Sequence, residues 1–147
     1  MEPSKLETLI DLIYNGNTAA ANACRDLVSP DLVPQLLLIY RYLKDWRAKE
    51  RCILLLQDQE DKGMKAAMLD FLQAPMIKGD EQREISKAIA LGFMGEAYNR
   101  PKAYFYDKQL LYNDINEVLV AHNLSPLSTK EIGPEEEKII KHNFQGQ

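Results

Sequence analysis

The chain has 147 residues, and its 18 Lys and Arg against 22 Asp and Glu give a formal net charge of −4. With 46% apolar residues it can bury a core without metal ions or disulfides, so intrinsic disorder is not the expected state. No apolar run approaches the ~20 residues of a membrane span, and the polar start differs from a signal peptide. We therefore expect no membrane association.

Helical spacing of the apolar residues predicts an all-α fold of seven or eight helices. The first helix is expected to end at Gly16, because glycine tolerates the left-handed conformation of a helix cap. An alanine-rich second helix follows and reaches about Leu27. Asp31 is expected to cap the third helix, with Pro34 in its first turn, and a kink at Pro34 is the alternative. This third helix is apolar on more than one side, which predicts burial between neighbours.

Two aspartates are expected to begin the fourth and sixth helices. Asp45 can cap a fourth helix that runs to about Gln59, and Asp80 leads into the sixth. The fifth helix carries an apolar stripe at helical spacing, formed by Met64, Ala67, Met68, Phe71 and Leu72. In the sixth helix, the residues expected to face inward are Ile85, Ala88, Ile89, Gly92 and Phe93.

The C-terminal part holds two more predicted helices. The seventh begins at about Asp107, and a last helix begins at Pro134, a residue that is favoured in a first turn. The inward face predicted for the seventh helix consists of Leu111, Ile115, Val118 and Leu119.

The first six helices form three successive pairs. Asp45 and Asp80 open the second helices of two pairs and lie 35 positions apart. Asp31 and Asp61 precede the first helices of the same pairs and lie 30 positions apart. A period of about this length is typical of helical-pair repeats.

Over roughly residues 1–95 the chain resembles the HEAT-like and armadillo-like family of helical repeats. The resemblance rests on Pro34, on Asp45 with Arg47, on Asp80 with Arg83, and on the apolar segments Leu32–Leu43, Cys52–Leu56, Met68–Leu72 and Ala88–Gly92. It implies a short right-handed stack of antiparallel helix pairs, an α-solenoid, in which the turn aspartate and the helix-start arginine bond along the stack. A globular helical bundle is the alternative architecture.

We expect a single all-helical domain over 1–147. Its helical pairs occupy 1–95, a loop spans 96–106, and capping helices fill 107–147. Stacked helix pairs present an extended groove with no deep pocket, which suits the binding of a partner more than catalysis.

Two segments combine cations with aromatic side chains, and Arg, Trp and Tyr are the residue types enriched at binding hot spots. One segment surrounds the single tryptophan, and the other is the predicted loop. Together they supply the candidate partner-binding residues Arg41, Lys44, Trp46, Arg47, Arg51, Tyr98, Arg100, Lys102, Tyr104 and Tyr106. The alternative is structural: Trp46 fills a junction between helices, and the loop aromatics anchor the loop.

No motif of a known catalytic, nucleotide-binding or metal site occurs, so we expect no catalytic residue, no cofactor and no metal ion. These features favour a non-enzymatic adaptor that binds a protein or peptide. Nucleic-acid binding through the basic-aromatic patches is the alternative, although the sequence pI of about 5.2 disfavours it. An enzyme with a pocket in the helix bundle is a third hypothesis.

Cys24 and Cys52 lack the close spacing of zinc or redox pairs, which favours reduced thiols in the cytoplasm.

Overall fold

The computed structural model describes residues 4–94, 108–127 and 131–145. Within these ranges the predicted all-α class is confirmed. The eight α-helices described are α1 (Lys5–Asn15), α2 (Thr18–Ala23), α3 (Val33–Tyr42), α4 (Trp46–Leu56), α5 (Met64–Leu72), α6 (Glu81–Phe93), α7 (Lys108–Ala121) and α8 (Pro134–Gln145). Two short 3-10 turns, Arg25–Leu27 and Pro30–Leu32, lie between α2 and α3.

The helix caps predicted at Asp45 and Asp80 are confirmed. The Asp45 carboxylate accepts a hydrogen bond from the Arg47 backbone N–H at 3.0 Å, and the Asp80 carboxylate accepts one from the Arg83 N–H at 3.0 Å. Each bond satisfies a backbone donor that has no partner inside its helix. The last helix begins at Pro134, as predicted.

The end of the first helix predicted at Gly16 is confirmed, since α1 ends at Asn15, but the predicted left-handed conformation of Gly16 and the predicted cap at Asp31 are wrong. Gly16 has φ −86° and an extended backbone, so it does not adopt the left-handed conformation. A Cβ atom there would lie 2.6 Å from the carbonyl oxygen of Leu12, so the position needs glycine because of this close approach. Asp31 does not cap α3, because helical backbone already begins with the 3-10 turn in which Asp31 lies. Pro34 lies in the first turn of α3, as predicted.

Helix α4 lies at the centre of the molecule and contacts α1, α2, α3, α5 and α6. Its contacts with α3 show how the two helices run. The Cys52 sulfur lies 3.7 Å from the carbonyl oxygen of Leu36, and the Lys49 ammonium lies 5.2 Å from the centre of the Tyr40 ring. Because residue numbers rise along one helix as they fall along the other, α3 and α4 are antiparallel.

Helices α5 and α6 form a second antiparallel pair. The Lys87 ammonium donates to the carbonyl groups of Phe71 and Leu72 at the end of α5. Arg83, one turn earlier in α6, donates to the carbonyl group of Pro75, which follows α5. The later residue of α6 therefore contacts the earlier residues of the α5 segment, so α5 and α6 are antiparallel.

The α3–α4 pair and the α5–α6 pair lie side by side, with α4 parallel to α6. Arg47 of α4 contacts Asp80 at the start of α6, and Glu50, one turn later, contacts Arg83. Both contacts join residues that are 33 positions apart, so α4 and α6 run in the same direction. Further contacts join α2 with α4 and connect α3 with α5 and α5 with α7.

Burial confirms the apolar stripe predicted for α5 and the inward face predicted for α7. The inward face predicted for α6 is wrong in part, since Ile85 is 47% exposed while Arg83, Ser86 and Lys87 are fully buried. This part of α6 packs against the Glu50 carboxylate and against carbonyl groups at the end of α5, so polar side chains face inward. No helix among the described residues combines the length and the apolar character that a bilayer crossing needs.

Candidate binding cleft

An open cleft of about 580 Å³ runs between α3 and α5. Its apolar lining includes Leu37 and Leu38 of α3 and Ala66 and Ala67 of α5. Because alanine side chains are small, α5 does not fill the space beside α3. Charged side chains line the two ends of the cleft, and they differ in how they are paired.

One end of the cleft holds a cluster of paired polar groups from three helices. The Asp70 carboxylate accepts a hydrogen bond from the Tyr40 hydroxyl at 2.7 Å and pairs with the Lys49 ammonium at 2.8 Å. The same ammonium lies 4.3 Å from the centre of the Trp46 ring, a cation–π contact. Burial raises the pKa of Tyr40 well above its ordinary value, and the Asp70 charge adds to the rise, so the hydroxyl stays a donor. This cluster joins α3, α4 and α5.

One face of α3 presents uncovered side chains, and two of them, Leu38 and Arg41, line the cleft. Leu38 is 53% exposed and Tyr42 is 74% exposed, and Arg41 lies beside them at helical spacing. Arg41 lines the cleft and makes no ion pair within the part of the chain that the structure describes. The predicted burial of α3 on all its apolar sides is therefore wrong for this face, because α5 offers only Ala66 and Ala67 as apolar lining opposite Leu38.

Charged side chains at the two ends of the cleft are open to solvent. Arg41 and the exposed Lys44 lie at the C-terminal end of α3. Asp61 lies at the other end, in the loop before α5, where its carboxylate accepts a hydrogen bond from the Gly63 N–H at 2.8 Å. Glu60 is exposed next to it. The cleft is therefore apolar along its middle, with Arg41 lining one end and Asp61 lining the other.

The candidate residues around the tryptophan fall into three environments. Arg41 and Lys44 are exposed. Trp46 is 9% exposed and belongs to the hydrophobic core, which matches the structural alternative for this residue. Arg51 donates to the carbonyl oxygen of Ile13 at 2.8 Å near the end of α1, and Arg47 joins an internal ion network. The other candidates lie outside the described residues: Tyr98, Arg100, Lys102, Tyr104 and Tyr106.

A buried network of charges joins α4, α6 and α8. Glu50 and Arg83 have side chains with 0% exposure, and their charged groups lie 3.0 Å apart. Arg47 pairs with Asp80, and Glu137 of α8 lies 3.3 Å from Arg83 and 3.4 Å from Arg47. Burial raises the pKa of Glu50, although the Arg83 charge opposes the rise, and burial lowers the pKa of Arg83. Since these groups pair with one another, the network is an internal brace.

Lys87 is a second buried cation with a structural partner. Its ammonium donates to the carbonyl oxygens of Phe71 at 3.2 Å and Leu72 at 2.7 Å. These carbonyl groups lie at the end of α5, where the helix supplies no partner of its own. Burial lowers the pKa of Lys87 well below its ordinary value, and the Arg83 charge adds to the effect. The apolar periodicity of the sequence gives no sign of this contact.

No other described residues form a site with evident reactivity. Burial raises the pKa of the Cys52 thiol to about 12, which keeps it protonated. Among the described residues, no group of three His, Cys, Asp or Glu side chains could hold a metal ion.

No family model, no curated protein and no solved structure matches this chain. The helical-repeat resemblance therefore stays a hypothesis that rests on the residues themselves.

Proposed function

We propose that the chain is a non-enzymatic adaptor that binds a protein or peptide partner in the α3–α5 cleft. The observation that carries the proposal is the exposed face of α3, where Leu38 and Tyr42 are uncovered beside Arg41. Arg41 has no ion pair within the described ranges. Uncovered apolar side chains next to an available arginine are typical of interaction surfaces. The cleft is open, which suits a segment of a partner chain.

The proposed scaffold for this surface is a short right-handed HEAT-like stack of helix pairs. Two antiparallel pairs in parallel order support it, and so does the contact of Arg47 with Asp80, since the resemblance implies such a bond along the stack. In stacks of this kind each pair covers apolar surface of its neighbour, and the pairs share one long surface. The free thiols of Cys24 and Cys52 support a cytoplasmic setting.

Nucleic-acid binding, the second hypothesis, has less support. It needs several cations on one surface, and Arg47 and Arg51 are bound to groups inside the molecule. Arg41 and Lys44 remain exposed, but two cations are few for a surface that must neutralise several phosphates.

The adaptor proposal is tested by selecting binders from a displayed library of random peptides of about 16 residues, enough for four helical turns. Selected peptides are expected to bind the wild-type protein in a fluorescence anisotropy titration. Leu38→Asp is expected to weaken them at least about tenfold, because it places a charge on the apolar rim. Ile85→Asp, an equally exposed apolar position on α6, is the matched control and is expected to leave binding unchanged. A library in which no binder distinguishes L38D from I85D contradicts the proposal.

A further inference from the structure

The arginines near the starts of α4 and α6 occupy equivalent places in the fold. Asp45 accepts a hydrogen bond from the backbone N–H of Arg47, and Asp80 accepts one from that of Arg83. The Arg47 side chain pairs with Asp80, the turn aspartate of the next helix pair. The Arg83 side chain pairs with Glu137 of α8 at 3.3 Å. Glu137 therefore gives Arg83 the acidic partner that the turn aspartate of a further helix pair would give.

A short β-bridge and one carboxylate fasten the C-terminal segment 131–139 to the helices. The Lys78 N–H donates to the carbonyl oxygen of Ile132 at 2.8 Å, and the Ile132 N–H donates to that of Met76 at 3.0 Å. An open cavity of about 330 Å³ is lined by Ile132 and Met76, among others, so packing beside the bridge is loose. Among the described side chains of α8, Glu137 is half-buried and the others are exposed: Pro134, Glu135, Glu136, Lys138 and Ile139.

The two arginines that bind Glu137 have other partners. Arg83 also pairs with Glu50 at 3.0 Å, and Arg47 also pairs with Asp80. These contacts are expected to hold both guanidinium groups in place when Glu137 leaves. Two guanidinium groups that share one carboxylate form strong, charge-assisted hydrogen bonds to it. The arrangement is therefore a carboxylate site that stays formed without its present occupant.

We propose that Arg47, Arg83 and the backbone of residues 76–78 bind the C-terminal segment of a second copy of this chain when the chain's own segment is released. The recognised pattern is a residue that pairs its backbone with residues 76–78, followed five positions later by a carboxylate in the first turn of a helix. A second copy is the occupant because its segment makes the same contacts as the chain's own segment, which is the basis of domain swapping. This site is separate from the α3–α5 cleft, so the proposal goes beyond the adaptor function.

A fluorescent synthetic peptide of residues 131–145 represents the segment of the second copy. The full-length variant E137R keeps the site but repels its own segment, because a third guanidinium group then faces the other two. In anisotropy titrations E137R is expected to bind the peptide at least about fivefold more tightly than the wild type, whose own segment competes. E136R, at the exposed neighbouring position, is the matched control and is expected to bind like the wild type. If circular dichroism shows that E137R does not fold, E137Q replaces it.

Hydrogen exchange measures the release of the segment in the full-length protein. The Ile132 N–H exchanges when its hydrogen bond to the Met76 carbonyl group opens. In E137Q this exchange is expected to be about five- to tenfold faster than in the wild type, because both arginines lose a charged partner. E136Q is the control and is expected to exchange at the wild-type rate.

Light scattering after size-exclusion chromatography tests whether a second copy is the occupant. The wild type and E136R are expected to gain a dimer fraction as the protein concentration rises from micromolar to millimolar. E137R is expected to stay monomeric, because neither copy brings the carboxylate. Equal peptide binding by E137R, E136R and the wild type, or binding by none of them, overturns the site. A wild type that stays monomeric at millimolar concentration overturns the second copy, and L38D tests the adaptor function independently.

Discussion

Arg83 in the α4–α6 layer and Arg41 beside the α3–α5 cleft carry the same charge in opposite surroundings. Arg83 is fully buried, and its guanidinium has partners in Glu50 and Glu137. Arg41 is exposed and has no ion pair in the described residues. A buried charge without a partner destabilises a fold by several kcal/mol, so a buried arginine needs charged or polar partners. At the rim of the cleft, water solvates the guanidinium and leaves it accessible to a partner.

The difference indicates that the two sides have separate tasks. On the α4–α6 side, the contacts of Glu50 with Arg83 and of Arg47 with Asp80 determine which turn of one helix meets which turn of the other. Such pairs contribute to a unique arrangement of helices more than to net stability. On the α3–α5 side, Leu38 and Arg41 contribute little to packing, so the fold does not require them.

The largest effect is expected from breaking the buried pair. Glu50→Leu leaves the Arg83 charge without its nearest partner and is expected to lower the free energy of unfolding by about 3–5 kcal/mol. The double variant E50L/R83M removes both charges and is expected to recover more than half of this loss. Urea unfolding followed by circular dichroism measures each variant, with E117Q on the exposed face of α7 as the control. An E50L protein as stable as the wild type would show that the pair does not brace this layer.

A smaller loss of stability, which depends on pH, is expected when Lys87 is substituted. Lys87→Met leaves the carbonyl groups of Phe71 and Leu72 without their donor and is expected to lower the free energy of unfolding by about 1–3 kcal/mol near neutral pH. Because burial lowers the pKa of Lys87 below its ordinary value of 10.5, the unfolded chain binds more protons between the two pKa values. The free energy of unfolding of the wild type therefore rises with pH until the pH reaches the pKa of Lys87 in the unfolded chain.

The pH series compares urea unfolding of the wild type and K87M from about pH 7 to about pH 10. The stability difference in favour of the wild type is expected to grow with pH, since the variant has no such group to deprotonate. Lys78→Met, at an exposed position, is the control and is expected to show no such trend. A difference that stays constant or shrinks as the pH rises would contradict the burial argument.

How much of the buried layer could be predicted depends on how local each interaction is. Asp45 and Asp80 cap their helices through bonds to residues two or three positions away, and a short stretch of sequence contains both partners. The burial of Arg83 depends on Glu50, which lies 33 positions earlier. Apolar periodicity contains no information about this partner, so it places Ile85 inside.

The cleft could be predicted only in part. Arg41 is among the candidate residues, because a cation near aromatic residues is typical of a hot spot. Leu38 belongs to an apolar stripe that is expected to be buried, and the structure leaves it exposed. The helix α5 that lines the other side of the cleft contributes only Ala66 and Ala67 to the apolar lining. This pairing of helices is a tertiary property, and the pattern of either helix alone does not contain it.

The smallest effect on stability is expected at Arg41, and it sharpens the comparison with the buried layer. Arg41→Met removes a charge that water solvates, so the free energy of unfolding is expected to change by less than about 0.5 kcal/mol. The same substitution at Arg83 removes the buried partner of Glu50 and is expected to lower that free energy by about 3–5 kcal/mol. Urea unfolding of both variants in one buffer measures the difference. Equal losses would mean that the fold holds Arg41 as firmly as Arg83, and Arg41 would then not be available to a partner.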